Sequence, residues 1–228
     1  MSMNQEEILK LLARLNAIIV DSHVVYASGK HGSAYVNKDA IFPHTRDTAN
    51  LCRQIAESFG NHHVEVVIAP VIGGVIISQW VAHHLSFMTG RPVLCTYAEK
   101  ETESFKRLDG RQCYFETGNF VIKRGYDQLI SGRNVLVVED ILNSGGTVER
   151  VVNAVRQYGG NVVGVGAFCN RGGVTPAHLG GVPSLYSLVN VTMDAWEAAD
   201  CPLCAAGVPI NTTVGKGKAF LDRQAANK

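Results

Sequence analysis

Val135-Leu-Val-Val-Glu-Asp-Ile-Leu-Asn-Ser-Gly-Gly-Thr147 sets two adjacent acids straight after an apolar run and follows them with a small, polar, glycine-bearing turn. The apolar run predicts a buried strand over Asn134–Val138, and the pattern after the turn predicts a helix from about Thr147 to Tyr158, stopped by Gly159-Gly160. The loop from Asn143 through Ser144, Gly145 and Gly146 to Thr147 thus leads from a strand end into a helix. Its backbone N–H groups and the positive end of the helix dipole would face an anion, which suits a phosphate monoester. Neither Gly-Lys-Ser/Thr of the Walker loop nor Gly-x-Gly-x-x-Gly of the dinucleotide fingerprint occurs here, so the usual adenine-nucleotide loops are excluded. Glu139 and Asp140 add a second constraint. Carboxylates repel phosphate but accept hydrogen bonds from vicinal sugar hydroxyls, so the two halves together call for ribose 5-phosphate. The plain alternative is a solvated turn with a Ser or Thr helix cap. Two adjacent acids at a strand end weigh against it.

Outward from this stretch the chain alternates strands and helices. A helix is expected from Thr45 to Phe59, closed by Gly60, then a strand Val64–Ala69, a helix from Gly73-Gly74 to Gly90, and a strand Pro92–Tyr97. A polar, charged segment from Glu99 to Gly132 breaks the rhythm, with only Cys113–Phe115 and Asn119–Ile122 suggesting a short hairpin. Strands Val162–Phe168 and Leu185–Val189 follow. Helices between nearly continuous apolar strands predict an α/β fold with a mainly parallel, twisted sheet covered on both faces. Upstream, Asn4-Gln-Glu-Glu7 reads as a capping box before Ile8, Leu11, Leu12 and Leu15 at helical spacing. Between Ile18 and Ile41, two strands are expected around Ser28-Gly-Lys-His-Gly-Ser33. The whole chain, 1–228, reads as one domain: an N-terminal helix and hood strands (1–44), an α/β core (45–190) and a C-terminal hood and tail (191–228).

In such sheets ligands bind beyond the carboxyl ends of the strands. Two further ends are chemically unusual: Ala69-Pro-Val-Ile-Gly-Gly74 and Tyr97-Ala-Glu-Lys100. Val71, Ile72, Gly73 and Gly74 would let backbone approach a second anionic group, or simply make a tight helix entry. Lys100, Lys106, Arg107, Lys123 and Arg124 crowd the irregular segment. They read either as a solvated loop or as a mobile basic loop that closes over a pyrophosphate and excludes water.

The 228 residues are 46% hydrophobic and 18% charged, with a formal net charge of +1. No broad basic field exists to hold nucleic acid or an acidic membrane surface, so an anionic ligand must be met locally. Apolar stretches are broken well before a membrane span, and a cytoplasmic setting is expected. Of the six cysteines, Cys52, Cys95, Cys113 and Cys169 sit singly in apolar patterns as small hydrophobes. Cys201-Pro-Leu-Cys204 has metal-like spacing, but His62-His63 and His83-His84 lack the spacing of partner ligands. A structural module holding zinc through Cys201 and Cys204 is the weakest of the readings, and no metal held directly by protein side chains is expected.

The stretch Val135–Thr147 resembles the diphosphate-sugar signature of type I phosphoribosyltransferases. Ser28-Gly-Lys-His-Gly-Ser-Ala-Tyr-Val-Asn-Lys38, Ala98-Glu-Lys-Glu101, Lys123-Arg-Gly-Tyr126, Asn170-Arg171 and Cys201-Pro-Leu-Cys-Ala-Ala-Gly-Val-Pro-Ile210 look like the orotate-specific branch. The resemblance spans roughly Leu15 to Gly215. It implies the type I fold with a small hood, a cytoplasmic homodimer, and transfer of ribose 5-phosphate from phosphoribosyl diphosphate to orotate in pyrimidine synthesis. Mg2+ is implied, bound through diphosphate and ribose hydroxyls near Glu139 and Asp140. Carried over residue by residue, Glu139 and Asp140 would hold the 2- and 3-hydroxyls, and Asn143 to Thr147 would cradle the 5-phosphate. Val71 to Gly74 would approach diphosphate, and Lys100 with Arg124 would supply charge. Arg171 would pair with the orotate carboxylate, and Lys30, His31 and Tyr35 would meet base and donor. Where many orotate enzymes begin the phosphate loop with Thr-Thr or Thr-Ala, this chain has Asn143-Ser144. That keeps open a transferase for another base, purine or modified pyrimidine. The basic loop is also longer here, with Ser104–Gly118 resembling an insertion. A non-catalytic regulator that binds phosphoribosyl diphosphate is a further alternative, although no helix-turn-helix extension accompanies it.

Overall fold

A computed structural model describes residues 3–107, 109–191 and 193–226. The chain forms two compact units, one of Thr48–Asn190 and one in which Met3–Asp47 joins the residues from Val191 onward.

The smaller unit opens with α1 (Gln5–Arg14). Asn4 caps it by accepting from the Glu7 N–H at 3.0 Å, while the Glu7 carboxylate accepts from the Asn4 N–H at 2.8 Å, the expected reciprocal box. Ile8, Leu11 and Leu12 form its buried stripe. The two strands expected between Ile18 and Ile41 are instead four of two residues each: β1 (Ile18–Ile19), β2 (Val24–Val25), β3 (His31–Gly32) and β4 (Tyr35–Val36). They make two antiparallel ladders, β1 with β4 and β2 with β3. The Ser28–Ser33 turn folds back so tightly that each run holds only two paired residues.

α2 (Thr45–Phe59) enters the larger unit, whose sheet strands are β5 (Val66–Pro70), β6 (Leu94–Lys106), β7 (Gln112–Val121), β8 (Asn134–Leu142), β9 (Asn161–Asn170) and β10 (Leu185–Asn190). Its helices are α3 (Gly73–Thr89), α4 (Asp127–Ile130) and α5 (Gly146–Gln157). Strand order is β10-β9-β8-β5-β6-β7, parallel throughout except for the β6–β7 pair. One face carries Val66, Ile68, Val135, Val137, Val165 and Ala167 against Val148, Val151, Val152 and Val155 of α5. On the other face α2 lies close over β9, where a Cβ on Gly166 would stand 2.5 Å from Ile55 and one on Gly164 2.5 Å from Phe59. Continuous apolar strands follow from this two-sided cover.

The polar segment from Glu99 onward is the main departure from expectation. β6 and β7 continue as one long antiparallel ribbon, from Glu99 opposite Val121 to Lys106 opposite Gln112. Polar side chains stitch it: Glu101 accepts from Thr117 Oγ1 (2.7 Å) and Asn119 Nδ2 (3.2 Å), and Gln112 Nε2 donates to Ser104 (3.0 Å). β8 likewise outruns its expected end at Val138 and carries Glu139 and Asp140 within its last turns of pleat. Beyond the sheet, η-type turns lead to α6 (Pro202–Ala205) and α7 (Gly217–Ala226) in the smaller unit. Among the described residues, no helix is long and apolar enough to cross a membrane.

Candidate active site

The topology reverses between β5 and β8. From β5 the chain moves through α3 to β6 on one side, and from β8 through α5 to β9 on the other. Pairing between β5 and β8 runs from Val66↔Val135 to Ile68↔Val137 and stops there. Past that point β5 stays with β6 as far as Pro70↔Ala98, and β8 stays with β9 as far as Leu142↔Asn170. Two loops therefore leave the sheet at a split, which is where open α/β sheets place ligands.

On one lip of the split lies Val71–Gly74. The Val71 N–H donates to the Ala98 carbonyl at 3.0 Å, the Val71–Ile72 peptide is cis, and Ile72 stands almost wholly in solvent. Gly74 has no room for a side chain: a Cβ there would lie 2.6 Å from Ala69 Cβ and 3.3 Å from the Val138 carbonyl. On the other lip, Glu139 and Asp140 are buried at 8% and 5% exposure, and the Asp140 N–H donates to Glu139 Oε1 at 2.9 Å. After them the loop Asn143–Thr147 wraps an open cavity of about 350 Å³ lined by Glu139, Asn143, Ser144, Gly146 and Thr147. Gly145 caps α5 with φ of +82° and is backed by Leu179, whose Cδ2 would stand 2.9 Å from an added Cβ. The first N–H groups of α5 have no acceptor inside the helix, so they and the dipole are available to an anion in that cavity.

A brace below this loop escaped the sequence reading. The Arg171 and Gly172 N–H groups both donate to the Leu142 carbonyl, at 2.9 and 3.2 Å. Gly172 presses so closely that a Cβ would fall 1.5 Å from the Asn143 carbonyl oxygen. Asn170 holds the turn from beneath, donating to the Val174 carbonyl at 2.8 Å and accepting from the Val174 N–H at 2.9 Å. The run Asn170-Arg171-Gly172-Gly173 was the available signal. Arg171 itself sits half-buried at the end of β9, beside the start of the phosphate-sized loop.

The cationic residues are placed differently from the loop first expected. Lys100 belongs to the regular ladder of β6, where its Nζ pairs with Glu116 at 2.8 Å. Arg124, just past β7, donates from Nη2 and Nε to Glu99 Oε1 at 2.8 and 3.2 Å. That hydrogen-bonded carboxylate raises the already high pKa of the guanidinium. Each cation thus already has a carboxylate partner.

A sequence model of the family described as "Phosphoribosyl transferase domain" matches residues 37–198. The chain belongs to this family. Among relatives, the orotate phosphoribosyltransferase of Thermoanaerobacter sp. (strain X514) is 31% identical over 208 residues, 91% of this chain and 96% of that protein. That of Thermotoga maritima is 30% identical over 209 residues, 92% of this chain and 98% of its own. The crystal structure of Mycobacterium tuberculosis H37Rv orotate phosphoribosyltransferase with inorganic phosphate has a TM-score of 0.59 at 22% identity, covering 82% of this chain and 95% of that one. The same protein with 5-phospho-α-D-ribosyl 1-diphosphate gives 0.58 at 23%, covering 82% and 96%. These structures share the fold of this chain.

Three expected site residues of this phosphoribosyl transferase lie in the smaller unit. Lys30 pairs with Glu197 at 3.0 Å, and Tyr35 is half-buried in β4 opposite Ile19. His31 is wholly buried, its Nδ1 turned toward His23 and Cys204. The ring is thus turned toward these side chains and away from solvent.

Proposed function

We propose that the chain transfers ribose 5-phosphate from phosphoribosyl diphosphate to a ring nitrogen of orotate, releasing diphosphate and orotidine 5′-monophosphate. The observation that carries this is the buried Glu139–Asp140 pair standing beside a helix-capped anion cradle at the topological split. Relatives named orotate phosphoribosyltransferase, about 30% identical along nine-tenths of the chain, support the choice of base.

In this reading Asn143–Thr147 and the first amides of α5 hold the 5-phosphate, and Glu139 with Asp140 accept the 2- and 3-hydroxyls. The acids then face a ribosyl group whose C1 gains positive character as the bond to diphosphate breaks, and their fixed charge favours that state. Val71–Gly74 brings backbone to the leaving diphosphate, with Lys100 and Arg124 exchanging Glu116 and Glu99 for it. Arg171 supplies a forked donor matched to the orotate carboxylate. Buried adjacent carboxylates are hard oxygen donors, and they suit Mg2+ held through the substrate's diphosphate and hydroxyls. When bound, Mg2+ would neutralise charge on the departing group.

Purified chain with phosphoribosyl diphosphate and Mg2+ is assayed for diphosphate release across a panel of bases. Turnover with orotate is expected, whereas release with adenine or xanthine and none with orotate would sink the proposal. That second outcome is the one Asn143 favours, since it stands where many orotate enzymes carry threonine. The same reading makes the protein a cytoplasmic homodimer, and light scattering should give twice the chain mass.

A further inference from the structure

We propose that His23, His31, Cys201 and Cys204 bind one structural zinc ion. The four side chains lie in the smaller unit, with one ligand atom from each within 4.8 Å of every other. His23 Nε2 stands 2.9 Å from His31 Nδ1, 3.6 Å from Cys201 Sγ and 3.7 Å from Cys204 Sγ, and Cys204 Sγ is 3.3 Å from His31 Nδ1. Tetrahedral zinc, with bonds of about 2.0–2.1 Å to nitrogen and 2.3 Å to sulfur, sets its ligand atoms roughly 3.3–3.8 Å apart. The observed spacings bracket that window, so one ion needs only small adjustments of the four groups.

Hydrogen bonding chooses the tautomer a metal requires. His23 Nδ1 lies 2.7 Å from the Val208 carbonyl, which accepts only, so Nδ1 carries the proton and Nε2 turns a bare lone pair into the cluster. A backbone carbonyl behind the ring is the usual orienting partner of a metal-bound imidazole. His31 is the less comfortable group without an ion. Its ring is wholly buried, and among the described residues Nε2 has no hydrogen-bond partner. If Nδ1 kept a proton to share with His23, that buried Nε2 would be a bare acceptor with nothing to accept. With Nδ1 on a metal, Nε2 carries the proton instead, and the ring meets Phe220 edge-to-face at 4.9 Å between centroids.

The backbone supports the same geometry. His23 bridges Ile210 in parallel, and His31 exchanges two 2.8 Å hydrogen bonds with Trp196. Cys201 caps α6, and its carbonyl accepts from the Ala205 N–H, so Pro202-Leu203 turn both sulfurs to one side. Four protein ligands fill a tetrahedron and leave no position for substrate, which marks a closed structural site rather than a catalytic one. A Cys201–Cys204 disulfide is the competing fate of this spacing, but it would leave two buried imidazoles facing each other without a shared partner.

The test uses tag-free full-length chain, reduced, supplied with an equimolar amount of Zn2+ and dialysed, with metal counted by mass spectrometry. About one zinc per chain is expected, and Co2+ in its place should give the intense visible bands of tetrahedral coordination together with thiolate charge transfer. Cys204→Ser should weaken zinc at least about tenfold in competition with a chromogenic chelator, and Cys113→Ser, on β7, should not. Retention below roughly a tenth of an ion per chain overturns the proposal. So does a Co2+ spectrum without thiolate bands, or equal losses in the two variants. Should Cys204→Ser fail to fold, the Co2+ spectrum of the unsubstituted chain decides alone. None of these readings depends on which base the enzyme uses.

Discussion

Replacing Gly172 by alanine tests whether the brace under the phosphate-sized loop sets its position. The added Cβ would fall 1.5 Å from the Asn143 carbonyl oxygen, a backbone atom that no rotamer change can move. Reaching even 3.0 Å requires the two segments to part by about 1.5 Å. A misplacement of about 1 Å in a binding element costs on the order of 100-fold in rate. The expected loss in kcat/KM is therefore at least about 100-fold, or roughly 2.7 kcal/mol of transition-state stabilisation. Overpacking of this kind costs stability as well, about 1–3 kcal/mol, a fall in Tm of several degrees at this chain length. Gly173→Ala is the control for backbone strain without a clash, because an added Cβ there meets open space although its φ of +61° disfavours any L side chain. Conversion of orotate is followed continuously by its ultraviolet absorbance, and Tm by calorimetry. Gly172→Ala with kcat/KM within threefold of the parent, or a loss equalled by Gly173→Ala, would refute the reasoning.

Glu139→Gln and Asp140→Asn each remove a buried charge from β8 and should lower kcat/KM by about 100-fold or more, with circular dichroism unchanged. Unaltered kinetics would separate the acid pair from the chemistry. Glu99→Gln releases Arg124 from its carboxylate and should lower the KM for phosphoribosyl diphosphate a few-fold, while Arg124→Gln raises it; steady-state titration of the donor distinguishes these from no effect. Burial pushes the Cys169 thiol up to about 11. At pH 8 only about one molecule in a thousand carries the thiolate, so alkylation of native protein should spare Cys169, as peptide mapping would read. The sign for stability follows: the folded state resists losing this proton, so the contribution is whole below pH 9 and is lost between about pH 9 and 11. Tm measured across that range should fall less steeply in Cys169→Ala.

Legibility along the chain tracks how local the stabilising interactions are. α2 was expected over Thr45–Phe59 and is found there, because its apolar stripe and Gly60 are local signals. The Val135–Val138 run likewise announced the strand, although β8 continues through Glu139 and Asp140 to Leu142. The β6–β7 ribbon was read as irregular because alternation is its only signal, and Glu99-Lys-Glu-Thr-Glu-Ser104 is polar on both faces. Its register comes from cross-strand partners such as Lys100–Glu116 and Glu101–Thr117, which one-dimensional periodicity does not show. The brace at Gly172 and the imidazole–thiol cluster were hidden for a stronger reason. Gly172 meets Asn143 across a sheet edge, and His31 meets Cys204 across 173 positions, so the Asn170–Gly173 run and the Cys201–Cys204 spacing mark one side of each contact while nothing local names the other.

That long separation also orders events during synthesis. Every strand of the larger unit lies between Thr48 and Asn190, so it can assemble from a contiguous stretch as that stretch leaves the ribosome. The smaller unit cannot. His23 and His31 emerge early, yet their pairing partners Ile210 and Trp196 appear only after every strand of the larger unit has been made. At about 5–20 residues per second, the 173 positions between His31 and Cys204 impose a wait of roughly 9–35 s. Throughout that interval the nascent N-terminal segment carries Val24 and Val25, destined for burial, without the chain that will cover them. It is the stretch on which a chaperone holding the growing polypeptide would act.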